Sequence, residues 1–233
     1  MDNAYLSNIV DKVFINIFGQ GSPFSLEQIL SEFAFDIKLP QQVIDSTTGE
    51  KTWAASINPT KFITQTNMEK YDISRGWMLP KRTVRHLDDI LTIWKSINYM
   101  TTERYYDCIN TYQSDTIYRS ENVYRCVNCN DCKNIIFSDG CGSCEYTIAS
   151  QRTGNSSFCL RVDDSGSCSS SYNVICSAKI SNSYFIQDCN NLHECIFCSH
   201  IANKRYYIAN MPFEKEEYFQ IKKQIIKWIL NIK

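Results

Sequence analysis

The chain has 233 residues, 43% of them hydrophobic and 21% charged, which is enough for one sizeable core or two small ones and too little for a large multidomain enzyme. Its 24 Lys and Arg against 25 Asp and Glu make no field that would draw nucleic acid or an anionic membrane, and no charge excess of the disordered kind. The compositional oddity is 12 cysteines, all between Cys108 and Cys198.

Tyr5, Leu6, Ile9, Val10, Val13, Phe14 and Ile17 recur at helical spacing before Gly19, so residues 5–18 read as a helix. Ser25-Leu26-Glu27-Gln28 has the form of a capping box and opens a second helix through Phe33, with Ile29, Leu30 and Phe33 facing inward. Residues 37–73 carry Pro40, a Thr48-Gly49 turn, Pro59 and β-branched side chains, and read as short strands and loops. A third helix is expected over 83–98, where Leu87, Ile90, Leu91, Trp94 and Ile97 form an apolar stripe and His86 lies on the exposed side. Residues 1–101 are therefore expected to form an α+β cap region. The opening Met1-Asp2-Asn3-Ala4 lacks the basic stretch and cleavage site of a secretory signal, and no apolar run reaches membrane-spanning length. The expectation is a cytoplasmic protein without membrane contact, whose thiols stay reduced.

Beyond residue 101 the texture turns to Ser, Asn, Cys and aromatics, and it repeats. Asn173-Val174-Ile175-Cys176-Ser177, Tyr184-Phe185-Ile186-Gln187-Asp188, Cys195-Ile196-Phe197-Cys198-Ser199 and Tyr206-Tyr207-Ile208-Ala209-Asn210 follow one another at 11-residue steps. Tyr124-Arg125-Cys126, Ile135-Ile136-Phe137, Tyr146-Thr147-Ile148 and Phe158-Cys159-Leu160 keep nearly the same step, with about four extra residues indicated within 161–171. Short β-rich runs at a fixed step bury their apolar side chains by stacking, which predicts a parallel β-solenoid over residues 102–211. Aligned columns would hold Cys126, Phe137, Ile148 and Cys159, and Ile175, Ile186, Phe197 and Ile208. Two units per coil would give about five coils and roughly 24 Å of stack at ~4.8 Å per strand. Residues 212–233 place Tyr218, Ile221, Ile225, Trp228, Ile229 and Ile232 on one helical face, with Lys222, Lys223 and Lys227 opposite. That segment reads as an amphipathic helix capping one open end, with the α+β region capping the other.

The Cys/Tyr/Asn-rich repeats, followed by Asn203-Lys204-Arg205-Tyr206-Tyr207-Ile208-Ala209-Asn210 and Phe213-Glu214-Lys215-Glu216-Glu217-Tyr218, resemble the C-terminal half of uncharacterised Cys-rich repeat proteins of candidate-phyla bacteria and some phages. The resemblance spans residues 105–218 and implies a β-solenoid-like fold without known catalytic residues. Many members carry an N-terminal zinc ribbon, whereas this chain has no cysteine there, so no metal role follows from the resemblance.

Three groups of residues could carry chemistry. Cys129, Cys132, Cys141 and Cys144 form a C-x2-C-x8-C-x2-C set, the ligand type of structural zinc; against this, small thiols also suit tight solenoid corners and would recur by stacking. His193, Cys195, Cys198 and His200 offer a second Cys/His set, in which His193 and Cys195 would share a strand face. Asp163 and Asp164, beside Ser165-Gly166-Ser167 in the apparent insertion, are the candidate catalytic carboxylates of a carbohydrate-active or other hydrolase. Gly19-Gln20-Gly21 follows a helix and lacks the Lys-Ser/Thr of a P-loop. Residues 101–210 hold 9 Lys and Arg against 11 Asp and Glu, a net of −2, so nucleic acid is not an expected partner. The reading that results is a non-enzymatic structural or interaction protein that presents a solenoid surface to a protein partner or to a further copy of itself. No cofactor is expected, zinc being the exception the thiols allow. A phage-associated role, in the virion included, is compatible with the resemblance.

Overall fold

A computed structural model describes residues 2–57, 60–75 and 77–231; Pro59 and Ile232 lie outside that range. Helix α1, Asn3–Phe18, starts at Asp2, whose carboxylate accepts the Tyr5 amide at 2.7 Å, and stops at Gly19, which takes φ +80°. Helix α2, Leu26–Phe33, carries both halves of the expected capping box: Ser25 Oγ accepts the Gln28 amide at 3.3 Å, and Gln28 Oε1 accepts the Ser25 amide at 2.9 Å. Strands β1, Gln41–Ile44, and β2, Lys51–Ala54, make an antiparallel hairpin. Strand β3, Lys61–Thr64, pairs in parallel with β4, Tyr99–Thr102, across helices α3, Gln65–Arg75, and α4, Leu87–Ile97.

Two elements depart from the sequence expectation. Helix α3 occupies part of the segment read as strands and loops. Its start is signalled only by Thr64, whose hydroxyl accepts the Asn67 amide at 3.3 Å, and Gln65-Thr66-Asn67-Met68-Glu69-Lys70 has no apolar period to reveal it. Helix α4 forms as expected, but its apolar stripe faces outward. Leu87, Ile90, Leu91 and Trp94 are all exposed, Leu87 at 67%.

From residue 105 to 208 the chain winds into a parallel β-solenoid of about nine turns. The coil is 12 residues long, since Glu121, Lys133, Glu145, Ser157, Ser169, Ser181, His193 and Arg205 pair successively. Each coil has four sides of three residues, because every third residue from Asp107 to Ala209 turns the chain with positive φ. Only glycine adopts this left-handed conformation without strain, and Asn and Asp tolerate it best, which accounts for the Asn and Asp at so many corners. The residue after each corner points into the bore, and the next points outward along a side. Every third residue from Ser114 to Cys198 is accordingly buried.

The 12-residue coil replaces the 11-residue step, so one unit makes one coil and the stack is roughly 40 Å high at ~4.8 Å per turn. The columns change with it. Cys126 stacks with Ser138, Ser150, Val162, Val174, Ile186 and Cys198, whereas Phe137 occupies a corner and Ile148 an outer face. No insertion interrupts residues 161–171, where Ser157, Leu160 and Asp163 pair in register with Ser169, Tyr172 and Ile175. Apolar residues fill both the bore and one outer face, and a one-residue shift carries the outer series onto the bore series, so a match at an 11-residue step also joins apolar side chains.

The apolar outer face is Tyr124, Ile136, Ile148, Leu160, Tyr172, Tyr184, Ile196 and Ile208, and helices α1 and α2 and the C-terminal helix α5, Lys215–Ile229, cover it. Phe18 packs against Tyr172 and Tyr184 with ring centroids 5.6 Å apart, and the Tyr184 hydroxyl donates to the Ile17 carbonyl. On α5, Tyr218 meets Tyr206 at 5.4 Å and Trp228 meets Phe185 at 5.8 Å. Lys222, expected on the polar face, instead turns inward to Glu194 at 2.8 Å. Burying side chains such as Leu160 and Tyr184 contributes about 1.5–3 kcal/mol each, so these helices are integral walls. Neither α1 nor α5 caps an end; both lie along the flank. The C-terminal edge is closed by Met211–Pro212, which runs antiparallel to Tyr207–Ile208. The other end meets the β1–β4 unit through Asp115, which is fully buried, bound by Arg104 at 2.8 and 2.9 Å, and bonded to the Ala55 amide at 2.8 Å.

Candidate functional site

The four thiols of the zinc-like set all project into the bore. Cys129 and Cys141 belong to one column, Cys132 and Cys144 to the next, and in each pair the partners sit one coil apart. Their hydrogens go to backbone carbonyls: Cys132 Sγ donates to Asn130 at 3.2 Å and Cys141 at 3.4 Å, Cys144 Sγ to Gly142 at 3.3 Å and Thr153 at 3.4 Å. Thr153, stacked next after Cys141, makes the same pair of bonds with Gln151 and Val162 carbonyls at 2.9 and 2.8 Å. A hydroxyl and a thiol are thus interchangeable at this place, which is the behaviour of a rung. Among the described residues no group of three or more His, Cys, Asp or Glu side chains is arranged to hold a metal ion.

The electrostatics of the thiols follow from burial and from one another. Burial pushes Cys126 and Cys159 well up and Cys168 up to about 11. Hydrogen bonding to Cys144, with burial, raises Cys132, while Cys144 is lowered as the partner of Cys132 and Cys141. The groups that act most strongly on these thiols are one another, burial and backbone hydrogen bonds, so the positive charge that usually favours a reactive thiolate is not among them.

Asp163 and Asp164 stand on an outer side and the adjoining corner. Arg152, one coil earlier, binds both: its guanidinium meets Asp163 at 2.6 Å and chelates Asp164, while Gln151 donates to Asp163 at 3.0 Å. Arg152 holds the Asp164 carboxyl below the usual range. Both candidate acids are therefore engaged in a ladder along the solenoid. The same happens at Arg119 with Asp131, at 2.7 Å, and at Lys133 with Glu121, at 3.0 Å.

The Cys/His set divides between inside and outside. Cys195 and Cys198 are adjacent bore residues, buried, and their thiols donate to backbone carbonyls, Cys195 to His193 at 3.5 Å and Cys198 to Ile196 at 3.4 Å. His193 lies on an outer side with Ser181 Oγ 2.8 Å from its Nδ1, and His200 is an exposed corner 3.7 Å from Asp188. The expected sharing of a face by His193 and Cys195 is corrected by the three-residue side, which places consecutive positions at corner, bore and outer face. Among the described residues, neither His193 nor His200 is hydrogen-bonded to a thiol, as a nucleophilic Cys–His pair requires.

One surface feature was not singled out in the sequence. Gly142, Gly154, Gly166 and Ala178 stack on one outer side, leaving a bare backbone strip. Neither conformation nor space demands these glycines: they avoid positive φ, and a Cβ at Gly142 would meet nothing within 4 Å, while at Gly154 and Gly166 it would touch only a carbonyl at 3.8 and 3.6 Å. Their 12-residue spacing is the signal that could have revealed them.

Comparison with protein-family models, curated proteins and solved structures finds no match for the chain. The class is set by the fold itself, a β-solenoid with helices along one flank. Among the described residues no helix is long and apolar enough to cross a membrane.

Proposed function

We propose that the protein is a non-enzymatic structural or interaction protein whose solenoid flank is its binding surface, engaged by a protein partner or by a second copy of the chain. The observation that carries this reading is the Gly142–Gly154–Gly166–Ala178 strip, flat and partly exposed on a rigid scaffold, with glycines that the fold does not require. Glycine in a strand where a side chain would fit is suited to close approach by another backbone. The hydrolase reading gains nothing from the geometry, since Arg152 occupies both Asp163 and Asp164. In this reading the thiols are rungs and the protein works without a bound metal; elemental analysis, and a thermal midpoint unchanged by a chelator, test that part. A cytoplasmic or virion location belongs to the same proposal and rests on the sequence and its resemblance.

The decisive experiment compares Gly154→Arg with the wild type. The variant is expected to keep the thermal midpoint and to lose the partner, or the self-association, that accompanies the wild-type chain in native purification and light scattering. Undiminished association by the folded variant would refute the assignment of this flank.

A further inference from the structure

A cavity of about 420 Å³ opens where α1, β2 and the first coil meet, far along the chain from the glycine strip and within the size range of small-molecule sites, about 300–1,000 Å³. Trp53, Tyr112 and Tyr124 supply aromatic lining, and Glu103, Thr111 and Gln113 supply polar groups. Three independent observations mark it as a built site. Thr111 Oγ1 is buried without a hydrogen-bond partner, and so is Nε of the neighbouring Arg125, whose guanidinium stands 5.4 Å from the centre of the Trp53 ring. Buried polar atoms left unpaired call for an explanation. Glu103 has φ +51° and stands outside the every-third series of corners, an isolated strained residue of the sort that collects at ligand sites. Burial also raises the Glu103 carboxyl.

We infer that this cavity binds a neutral saccharide, with a pyranose face on the Trp53, Tyr112 and Tyr124 rings and sugar hydroxyls bonded to Glu103, Thr111 and Gln113. Aromatic faces beside uncharged and carboxyl hydrogen-bonding groups match the alternating apolar and hydroxyl surfaces of a sugar. A cationic ligand fits less well, because Arg125 already stands over Trp53. An anionic one would meet Glu103. The sugar is bound and not cleaved: hydrolysis needs two carboxyl groups flanking the glycosidic oxygen, and Glu103 is the acid of the lining while nearby Asp115 is bound by Arg104.

The test uses the full chain with glucose, galactose, N-acetylglucosamine, cellobiose and chitobiose at millimolar concentration, followed by tryptophan fluorescence and saturation-transfer NMR. At least one is expected to bind saturably, intact at the end of the incubation. Gln113→Ala and Trp53→Phe should each weaken it by about tenfold or more, with the thermal midpoint retained, whereas Trp94→Phe on the remote α4 should not. If Trp53→Phe fails to fold, Gln113→Ala and Thr111→Val decide. The inference is overturned if none of the five sugars binds, if the folded Gln113→Ala variant binds with unchanged affinity, or if tetramethylammonium saturates the site and the sugars do not.

Discussion

Ser150 Oγ accepts the backbone amide of Val162, 12 residues further on, at 3.0 Å, while donating to the Ile148 carbonyl at 3.1 Å. The relationship recurs up the bore: Ser177 accepts the Cys189 amide and Ser183 the Cys195 amide, each at 3.0 Å. Inward hydroxyls thus link one coil to the next where the left-handed corners leave amides that strand pairing does not reach. Ser150→Ala should orphan the Val162 N–H and lower stability by about 1–3 kcal/mol, read as a shift in denaturant midpoint. Ser150→Cys should recover part of it, since Cys126 Sγ serves the Ser138 amide at 3.4 Å in the same column.

Corner chemistry is testable at Lys179, an exposed residue at φ 57°. Its side chain is solvated, so substitutions report on the backbone. Lys179→Gly and Lys179→Asn should hold or raise the thermal midpoint, and Lys179→Val should lower stability by about 1–2 kcal/mol. Equal stability of all four chains would contradict a left-handed corner there.

The docking of α5 depends on Lys222 and Glu194, paired at 2.8 Å with side chains only 12% exposed, and on the bond from Lys222 Nζ to the Asn182 carbonyl at 3.3 Å. Lys222→Ala strands a largely buried carboxylate and should cost about 3 kcal/mol. The double variant Lys222→Met, Glu194→Gln should be less damaged than Lys222→Ala alone. A double-mutant cycle with no coupling would rule out the pair as the helix anchor.

Thiol accessibility follows from position. In the native protein iodoacetamide should modify the exposed Cys176 first and the half-buried Cys108 slowly. The ten buried cysteines should react only after unfolding. Rapid native labelling of Cys129 or Cys144, mapped by mass spectrometry, would contradict their placement in the bore.

Asp45 links stability to pH. It is fully buried; although burial pushes its carboxyl up, bonds from Thr47, Thr64 and Asn67 hold it far below the usual range. A carboxyl depressed in the folded state adds stability above its unfolded value, about 3.9, and loses that contribution as pH falls through the folded value. Asp45→Asn should therefore cost about 2–3 kcal/mol at neutral pH, with the gap to wild type narrowing on acidification below about pH 4. A gap independent of pH would show that Asp45 acts through shape alone.

Helices α1 and α2 were legible because Ser25, Gln28 and Gly19 mark ends and an apolar stripe marks their length, whereas the cap at Asp2, which starts α1 two residues before Tyr5, was not read. The solenoid was legible as a repeat, but its period was not, because two interleaved apolar series compete. The cysteines held the answer: Cys126, Cys129, Cys132, Cys141 and Cys144 are separated only by multiples of three, as are Cys108, Cys159, Cys168, Cys189, Cys195 and Cys198 from them, and Cys176, the exception, is the exposed one. The pairing of Asp163 and Asp164 with Arg152 depends on a 12-residue register that an 11-residue reading displaces. The cavity beside Trp53 joins residues from three parts of the chain, which no local pattern announces.

The unbroken triplet winding also makes the length of the solenoid a counted quantity. Removal of a whole coil returns every later residue to its former role, bore for bore and corner for corner. Removal of one residue moves each later bore side chain to a corner, each outer side chain into the bore and each corner to an outer face. A lineage carrying this architecture can therefore lengthen or shorten the solenoid in whole-coil units, and the span it offers a partner changes in steps.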